Sequence, residues 1–237
     1  MSTTTVPPTI RRAEPNDVDA IADLFVEAFL HGDLGPWLIP RIDTRLRIYR
    51  DYFQIHAEHA LTAGWVDIVG TFDGVAVWYE VKNDPDRELA IPDYDARIAD
   101  ACGPYTPQFA AVDRAMATHH PRGVAHHYLA LLAVHPDHQR RGIGSASLDH
   151  HHDVLDAAGV PSYLEATGHR NGALYLRHRY RRQRPYLVGD NTKLYPMWRT
   201  PRTTAAPKPA WADTTEELWV TGKRVEGQSR FRYARPS

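Results

Sequence analysis

The stretch AVHPDHQRRGIGSASLDH, residues 133–150, is the most informative part of the sequence, and it directly follows the apolar run YLALL at 128–132. Gly142 and Gly144 stand where a predicted helix begins. A helix N-terminus binds anions, because its first N–H groups are unpaired and it carries the positive end of the helix dipole. Glycines let a phosphate approach the backbone closely. Three polar side chains before them add donors and charge: Gln139, Arg140 and Arg141. The stretch is therefore typical of a phosphate-binding loop.

Two common phosphate loops fit this stretch poorly. A P-loop needs a lysine directly after its second glycine, and none follows Gly144. Gly142-x-Gly144 matches two glycines of a dinucleotide fingerprint, and Glu165, about 20 residues further on, matches its acidic residue. That fingerprint requires a strand that ends at the first glycine, whereas the apolar strand here ends at Val134. A nucleotide-dependent oxidoreductase is therefore kept only as an alternative.

The rest of the chain predicts strands and helices on both sides of this loop. Apolar alternation and turn residues predict strands at 9–13, 126–134, 161–167, 180–188 and 191–199, and a hairpin over 65–81 that turns at Asp73-Gly74. Helical periodicity predicts helices from Asn16 or Asp17, at 42–61, at 142–158 and at 170–178. Residues 86–118 are predicted helical but interrupted by prolines.

This order of elements, with Gln139-x-x-Gly142-x-Gly144 after a strand and with PSYLEAT and RNGALYLRHRY downstream, resembles the GCN5-related N-acetyltransferase (GNAT) family. The resemblance covers about 9–199. It implies an α/β (α+β layered) fold with a mixed, mostly antiparallel, splayed sheet flanked by helices. Within the family, the segments VAVW, VHPDHQ, AGVP and LE are similar to the puromycin N-acetyltransferase branch.

The resemblance implies acetyl-CoA as co-substrate, without a metal. Its pyrophosphate would lie on N–H groups from Arg140 to Ser145, and its pantetheine arm would pair with the edge of strand 126–134 like an added strand. The residues expected to bind it are Leu132, Ala133, Val134, Gln139, Arg140, Arg141, Gly142, Ile143, Gly144, Ser145 and Asn171.

The family's general acid is a tyrosine in the helix after the fifth strand, which here corresponds to Tyr175. Asn171 lies one helical turn earlier, on the same face. A phenol with a pKa of about 10 is protonated at neutral pH and can protonate a departing thiolate. Two structural alternatives stay open: Tyr175 facing the sheet, and Asn171 capping its helix.

Glu165, at the end of the fifth strand, is the first candidate for the general base. The residue resembles the glutamate of the puromycin branch in that strand. Three other candidates lie on predicted strands: Glu80, His127 and Tyr128. In another interpretation, Glu165 only anchors the substrate ammonium.

Aromatic residues from the segments that frame the acceptor side predict a pocket for a small-molecule amine. We expect Trp37, Tyr52 and Trp78 to bind it, and the puromycin-like segments favour an aminonucleoside or antibiotic-like amine, hence resistance or detoxification. Three alternatives remain: these aromatics form ordinary core, the acceptor is a protein lysine or N-terminus, or the protein is a non-catalytic acyl-CoA sensor.

One departure from the family lies after Tyr175. Family members continue with a glycine that permits the turn into the next strand, whereas this chain has His178, Arg179 and Tyr180. The geometry of that turn is therefore an open question.

Composition excludes several other functions. A net charge of −1 offers no overall field for nucleic acid, and the apolar run at 128–134 is too short to span a membrane. Cys102 is the single cysteine, so an internal disulfide is excluded. His150, His151 and His152 are consecutive in a predicted helix, point about 100° apart, and cannot bind one ion together.

The expected domain organisation has three parts: a flexible N-terminus at 1–8, the GNAT domain at 9–199, and a proline-rich linker with a C-terminal extension at 200–237. The start of the chain lacks the apolar segment of a signal peptide, so we expect a cytoplasmic protein. We expect a monomer or homodimer that binds neither nucleic acid nor membrane.

Overall fold

The computed structural model describes residues 8–82, 91–189 and 192–202. In those residues the helices are α1 (Val18–Phe29), α2 (Gly35–Leu38), α3 (Ile42–Ala63), α4 (Tyr94–Cys102), α5 (Thr106–His119), α6 (Ile143–Ala158) and α7 (His169–Arg177). The strands are β1 (Ile10–Arg12), β2 (Trp65–Val69), β3 (Gly74–Val81), β4 (His126–Val134), β5 (Ser162–Ala166), β6 (Arg181–Arg182), β7 (Tyr186–Val188) and β8 (Thr192–Arg199).

The strands form one sheet in the order β1-β2-β3-β4-β5-β8-β6, and β7 also pairs with β8. Every pairing is antiparallel except that of β4 with β5, which is parallel. The predicted fold class, a mixed and mostly antiparallel sheet flanked by helices, is confirmed.

The sheet opens between β4 and β5. These strands share two residue pairs, His127 with Ser162 and Tyr128 with Tyr163. On the other side of β4, Val77 and Trp78 are consecutive but face Leu131 and Leu129, so Ala130 is an extra residue that bulges. A bulge bends its strand. From Leu129 onward, β4 has no strand partner on its β5 side among the described residues.

Two apolar layers cover the sheet. Helices α1 and α3 to α5 pack on one face, over a core that includes Phe25, Ile68 and Val77. On the other face, Trp78 and Leu164 pack with Leu148 of α6, and Leu174 of α7 lies against them. Side chains alternate along strands, so neighbouring residues of β3 and β5 enter opposite layers.

Two predicted strand boundaries were wrong. The hairpin does not turn at Asp73-Gly74: Gly74 is already paired with Val69, and the turn is made by 70–73. Gly70 has a φ of +61°, and a Cβ there would meet the Asp73 carboxylate. The predicted strand 180–188 is two short strands, β6 and β7, separated by 183–185, where Pro185 lacks the N–H that a ladder needs.

The turn after α7 is closed without the family's glycine. Arg179 adopts a φ of +69°, in the left-handed region. The Tyr180 N–H donates to the Tyr175 carbonyl and the Arg179 N–H to the Leu176 carbonyl, both at 3.1 Å. This is the Schellman pattern, whose left-handed position is usually glycine. Arg179 thus takes the left-handed conformation that glycine takes in the family, at the cost of backbone strain. The end of α7 keeps its usual form.

Some predictions concern residues outside the described ranges. The N-terminal segment lies there except for Pro8, as does the C-terminal extension beyond Arg202. The domain boundaries, the cytoplasmic location and the oligomeric state stay predictions. Among the described residues, no helix is long and apolar enough to cross a membrane.

Candidate active site

A cavity of about 2160 Å³ is lined by residues from both faces of the sheet. At one end lie the start of α6, with Gly142 and Ser145, and the α7 residues Asn171 and Tyr175. At the other end lie aromatic residues of α1 and α3 to α5. Strands β4 and β5 border the cavity between the two ends, where Leu132 and Glu165 line it.

The phosphate end is formed by the entry to α6. Gly142 precedes the helix with a φ of +83°, and Arg140 also has a positive φ of +64°. A Cβ at Gly142 would meet no protein atom within 4 Å, so within the protein this position favours glycine for its backbone conformation. A Cβ at Gly144 would lie 3.3 Å from Leu174 Cδ2, so this glycine lets α6 approach α7 closely.

The free edge of β4 presents backbone groups to the cavity side. The His135 N–H donates to the Asp73 carbonyl at 2.9 Å, so His135 faces β3. Successive residues of a strand direct their N–H and C=O to opposite sides. Leu132 and Val134 therefore direct theirs toward β5, where the strands have separated. The Gln139 side chain already donates to the Val134 carbonyl at 3.3 Å.

Most residues predicted to bind acetyl-CoA line this cavity. They are Leu132, Val134, Gln139, Arg140, Gly142, Ile143, Gly144, Ser145 and Asn171. Two do not. The Ala133 side chain is buried in the layer of α1 and α3 to α5, opposite Val75, and Arg141 is exposed to solvent outside the cavity. Ala133 could therefore contribute only through its backbone.

Tyr175 lines the cavity from α7, and its hydroxyl makes no hydrogen bond to another described residue. Burial raises the pKa of Tyr175 well above its usual value, so the phenol stays protonated at neutral pH. Asn171, one turn earlier, is exposed, and α7 is preceded by Gly168 as its N-cap. The capping alternative for Asn171 therefore has no support in this structure.

Glu165 lies where β4 and β5 part. Tyr163 Oη donates to Glu165 Oε1 at 2.8 Å, while Oε2 is buried without a hydrogen-bond partner among the described residues. Burial raises the pKa of Glu165 to about 7, although the phenols of Tyr163, Tyr128 and Tyr186 lower it in part. A carboxyl group with that pKa is suited to accept a proton near neutral pH.

The structure places the other base candidates differently. Glu80 is exposed, lies 3.7 Å from Lys82, and does not line the cavity. His127 also lies outside the cavity, hydrogen-bonded to His151 at 3.0 Å, and burial lowers its pKa to about 4. Tyr128 lines the cavity, but its pKa is raised by burial and by Glu165, so it remains a protonated phenol.

Of the three residues predicted to bind the acceptor, only Tyr52 lines the cavity, with its ring 4.6 Å from that of Phe109. Trp78 is fully buried in the opposite layer and stacks on His151 at 4.1 Å. Trp37 packs against Gly189, where a Cβ would clash with its indole. Trp37 and Trp78 therefore do not enter the proposed acceptor site.

The acceptor end contains residues that sequence reasoning missed. Tyr94 Oη donates to Asp113 Oδ2 at 3.0 Å, and both residues line the cavity with His56 and His120. Asp113 lies on the cavity face of α5 beside Phe109, Val112 and Met116. The available signal was an acidic residue among apolar residues at helical spacing. Because prolines interrupt this segment, the sequence did not show which face of a helix Asp113 occupies.

A second group of polar residues lies between α6 and the end of α7. Three side chains each place one nitrogen or carboxylate oxygen within 4.8 Å of the others: Asp149, His152 and His178. His178 Nδ1 is 3.0 Å from Asp149 Oδ1, and His152 Nε2 is 3.1 Å from Tyr180 Oη. The same recess is lined by three aspartates and four arginines: Asp149, Asp153, Asp156, Arg177, Arg179, Arg199 and Arg202. That the protein needs no metal stays a prediction.

Known structures share this architecture. The histone acetyltransferase HPA2 and related acetyltransferase of Corynebacterium glutamicum is 27% identical, with 86% of this chain and 99% of that chain covered and a TM-score of 0.61. The mosquito arylalkylamine N-acetyltransferase like 5b is 12% identical, with 81% and 99% covered and a TM-score of 0.54. A GCN5-related N-acetyltransferase from Rhodopseudomonas palustris is 15% identical, with 84% and 99% covered and a TM-score of 0.51.

The family model of the acetyltransferase (GNAT) family matches residues 19–182, more than half of the 237-residue chain. The match includes the glycine loop, the parted strands β4 and β5, and the helix that carries Tyr175. This chain belongs to the GNAT acetyltransferase family.

Proposed function

We propose that this protein transfers the acetyl group of acetyl-CoA to the primary amine of a small molecule by direct attack. One observation carries the proposal: a single cavity is lined by the glycine loop, by Tyr175 and by a half-buried Glu165 whose pKa is about 7. An anion site, a protonated acid and a base of suitable pKa are the groups that amine acetylation requires.

Acetyl-CoA supplies the activated acetyl group as a thioester. The unpaired N–H groups at the start of α6 would bind its pyrophosphate, with Arg140 adding positive charge. Leu132 and Val134 would pair with the amides of the pantetheine arm through their cavity-facing backbone groups. These contacts use the backbone, so the conformation of Gly142 is expected to matter more than the Arg140 side chain.

Glu165 would accept the proton that the attacking ammonium must lose. The nitrogen then forms a bond to the thioester carbonyl carbon, the carbon–sulfur bond breaks, and the nitrogen releases its second proton to solvent as the amide forms, while solvent restores the proton that Tyr175 gives up. Tyr175 would donate its proton to the departing sulfur. Burial raises the pKa of Tyr175, and the same desolvation strengthens the basicity of a thiolate in this cavity.

The proposal of a small-molecule acceptor is supported by the aromatic lining of the cavity at the end formed by α1 and α3 to α5. Its aromatic lining comes from Phe29, Tyr49, Tyr52, Phe53, Tyr79, Tyr94 and Phe109. Rings of this kind bind a compact, partly apolar amine. The likeness to the puromycin branch, with an aminonucleoside or another antibiotic-like acceptor and a role in resistance, belongs to the same proposal and rests on sequence segments alone.

The experiment is a panel of small amines, a lysine peptide and an N-terminal peptide, incubated with the wild-type protein and acetyl-CoA and assayed by release of free CoA thiol. We expect release that depends on a small amine and is lost in Glu165→Gln. Preference for a peptide would point to a protein acetyltransferase instead. Tight acetyl-CoA binding without release on any acceptor would overturn catalysis and point to an acyl-CoA sensor.

A further inference from the structure

We propose that the acceptor amine carries a second polar group, a hydrogen-bond donor at its far end, and that Asp113 and His56 bind that group. This inference rests on the proposed function, since it specifies the substrate class of the same cavity. The acceptor would then be an amine with an apolar ring in its middle and a hydroxyl or second amino group at the other end.

Asp113 is a half-buried carboxylate in the wall of the cavity. Its Oδ2 accepts a hydrogen bond from Tyr94 Oη at 3.0 Å, and its other oxygen accepts none from the described residues. No described cation forms an ion pair with it; partial burial raises its pKa, and the positive charge of Arg114 lowers it in part. The second oxygen can therefore accept a hydrogen bond from a bound ligand.

His56 is a second unpaired polar group in the same recess. Its Nε2 is buried without a hydrogen-bond partner among the described residues. Its ring lies 4.4 Å from the ring of Tyr52 and 6.0 Å from that of Tyr94, whose hydroxyl binds Asp113. Burial lowers the pKa of His56 to about 4, so the imidazole is neutral at pH 7 and offers one donor and one acceptor.

Helix α5 links the surroundings of two carboxyl groups that line the cavity, Asp113 and Glu165. His119 stacks on Tyr186 at 3.9 Å, and the Tyr186 phenol acts on Glu165. Asp113 precedes His119 by six residues on α5, which is about 9 Å of helix rise. Between these ends the lining is aromatic, with Tyr52 and Phe109 in contact.

The test uses two probes that differ only at the far end, phenethylamine and its 4-hydroxy analogue tyramine. Binding to the protein with CoA present is measured by calorimetry, and kcat/KM by CoA thiol release. We expect the wild type to bind tyramine about tenfold tighter than phenethylamine. Asp113→Asn should reduce that ratio to about two by weakening tyramine alone, because a hydrogen bond to a charged acceptor is stronger.

Two further variants keep the test interpretable. Asp113→Ala removes the acceptor entirely and should abolish the preference, provided its unfolding transition matches the wild type. Asp100→Asn is the matched control: Asp100 is exposed on the neighbouring α4 and does not line the cavity. This control should keep the wild-type ratio.

The outcomes separate this inference from the proposed function. Equal use of the two amines by the wild type, or equal weakening of both by Asp113→Asn, overturns the inference while acetyl transfer stands. Selective, Asp113-dependent binding of tyramine without any turnover supports the inference and overturns the proposed function. Failure of both amines to bind at millimolar concentration overturns the inference.

Discussion

Tyr163 and Glu165 lie two residues apart on β5, on the same face of the strand, and Tyr163 Oη donates to Glu165 Oε1 at 2.8 Å. Tyr163 is also opposite Tyr128 in the second of the two pairs that join β5 to β4. The carboxyl group is thereby fixed at the point where the strands part. This fixed position is what the proposed role of Glu165 as general base requires.

The pH dependence of activity should follow the ionisation of Glu165. Because burial raises its pKa to about 7, the carboxylate form that accepts a proton increases as pH rises through 7. We expect kcat/KM to rise over the same interval in the wild type. Glu165→Gln should lower kcat by about 100-fold or more and remove this rise.

Glu80→Gln is the matched control for that prediction, because Glu80 is an exposed carboxylate on β3 outside the cavity. The control should keep both the rate and the pH profile of the wild type. A profile that stays unchanged in Glu165→Gln would remove Glu165 as the base.

Tyr175→Phe should separate turnover from cofactor binding. Removing the hydroxyl leaves the ring in place against Tyr180, whose centroid lies 5.8 Å away. We expect kcat to fall by about 100-fold, with the Kd for acetyl-CoA unchanged by calorimetry. Tyr105→Phe, at a tyrosine that does not line the cavity, is the control for losing a hydroxyl. Wild-type kcat in Tyr175→Phe would exclude Tyr175 as the acid.

Substitutions at Gly142 should weaken acetyl-CoA binding through backbone strain. A Cβ there would meet no protein atom within 4 Å, so a clash inside the protein is not the cause. At a φ of +83°, a non-glycine residue costs about 1–2 kcal/mol. By calorimetry, Gly142→Ala should weaken binding by about tenfold, and Gly142→Asn less, since asparagine tolerates this region.

Gly142→Glu combines that strain with a negative charge at the proposed pyrophosphate site, and it should abolish measurable binding. Were Gly142→Glu to bind acetyl-CoA with the wild-type Kd, the start of α6 would not be the pyrophosphate site.

Replacing Arg179 by glycine should stabilise the protein. Arg179 occupies the left-handed position of the turn after α7, and glycine relieves the strain of that conformation. We expect the free energy of unfolding, from urea denaturation, to rise by about 1 kcal/mol. Arg179→Ala keeps the strain and should change it little. An equal gain in both variants would show that removal of the arginine charge, and not relief of strain, is responsible.

That most residues proposed to bind acetyl-CoA line one cavity could be predicted because their signals are local. Gly142 and Gly144 at a helix start, Glu165 at a strand end and the spacing of Asn171 to Tyr175 are each contained in a short segment. The strand and helix order also follows from local periodicity. The hairpin turn was misplaced because Asp73-Gly74 satisfies the two-residue pattern, while the residues with positive φ in the turn are Gly70 and Phe72.

The acceptor end was harder to predict because it depends on which layer a side chain enters. Trp78 and Tyr79 are adjacent on β3 yet lie in opposite layers, and only Tyr79 lines the cavity. A shift of one residue in register exchanges them. Asp113 and His56 come together from α5 and α3, which are far apart in sequence, so no single segment signals their proximity.

Mass spectrometry of the reaction products tests acetyl transfer to a small amine. Wild-type protein is incubated with isotopically labelled acetyl-CoA and a mixture of small ring-bearing amines. We expect an amine that has gained one labelled acetyl group on nitrogen, at a rate that falls in Glu165→Gln and in Tyr175→Phe. Labelled acetyl-CoA that is bound but left intact, or hydrolysed to labelled acetate without any acetylated amine, would contradict it.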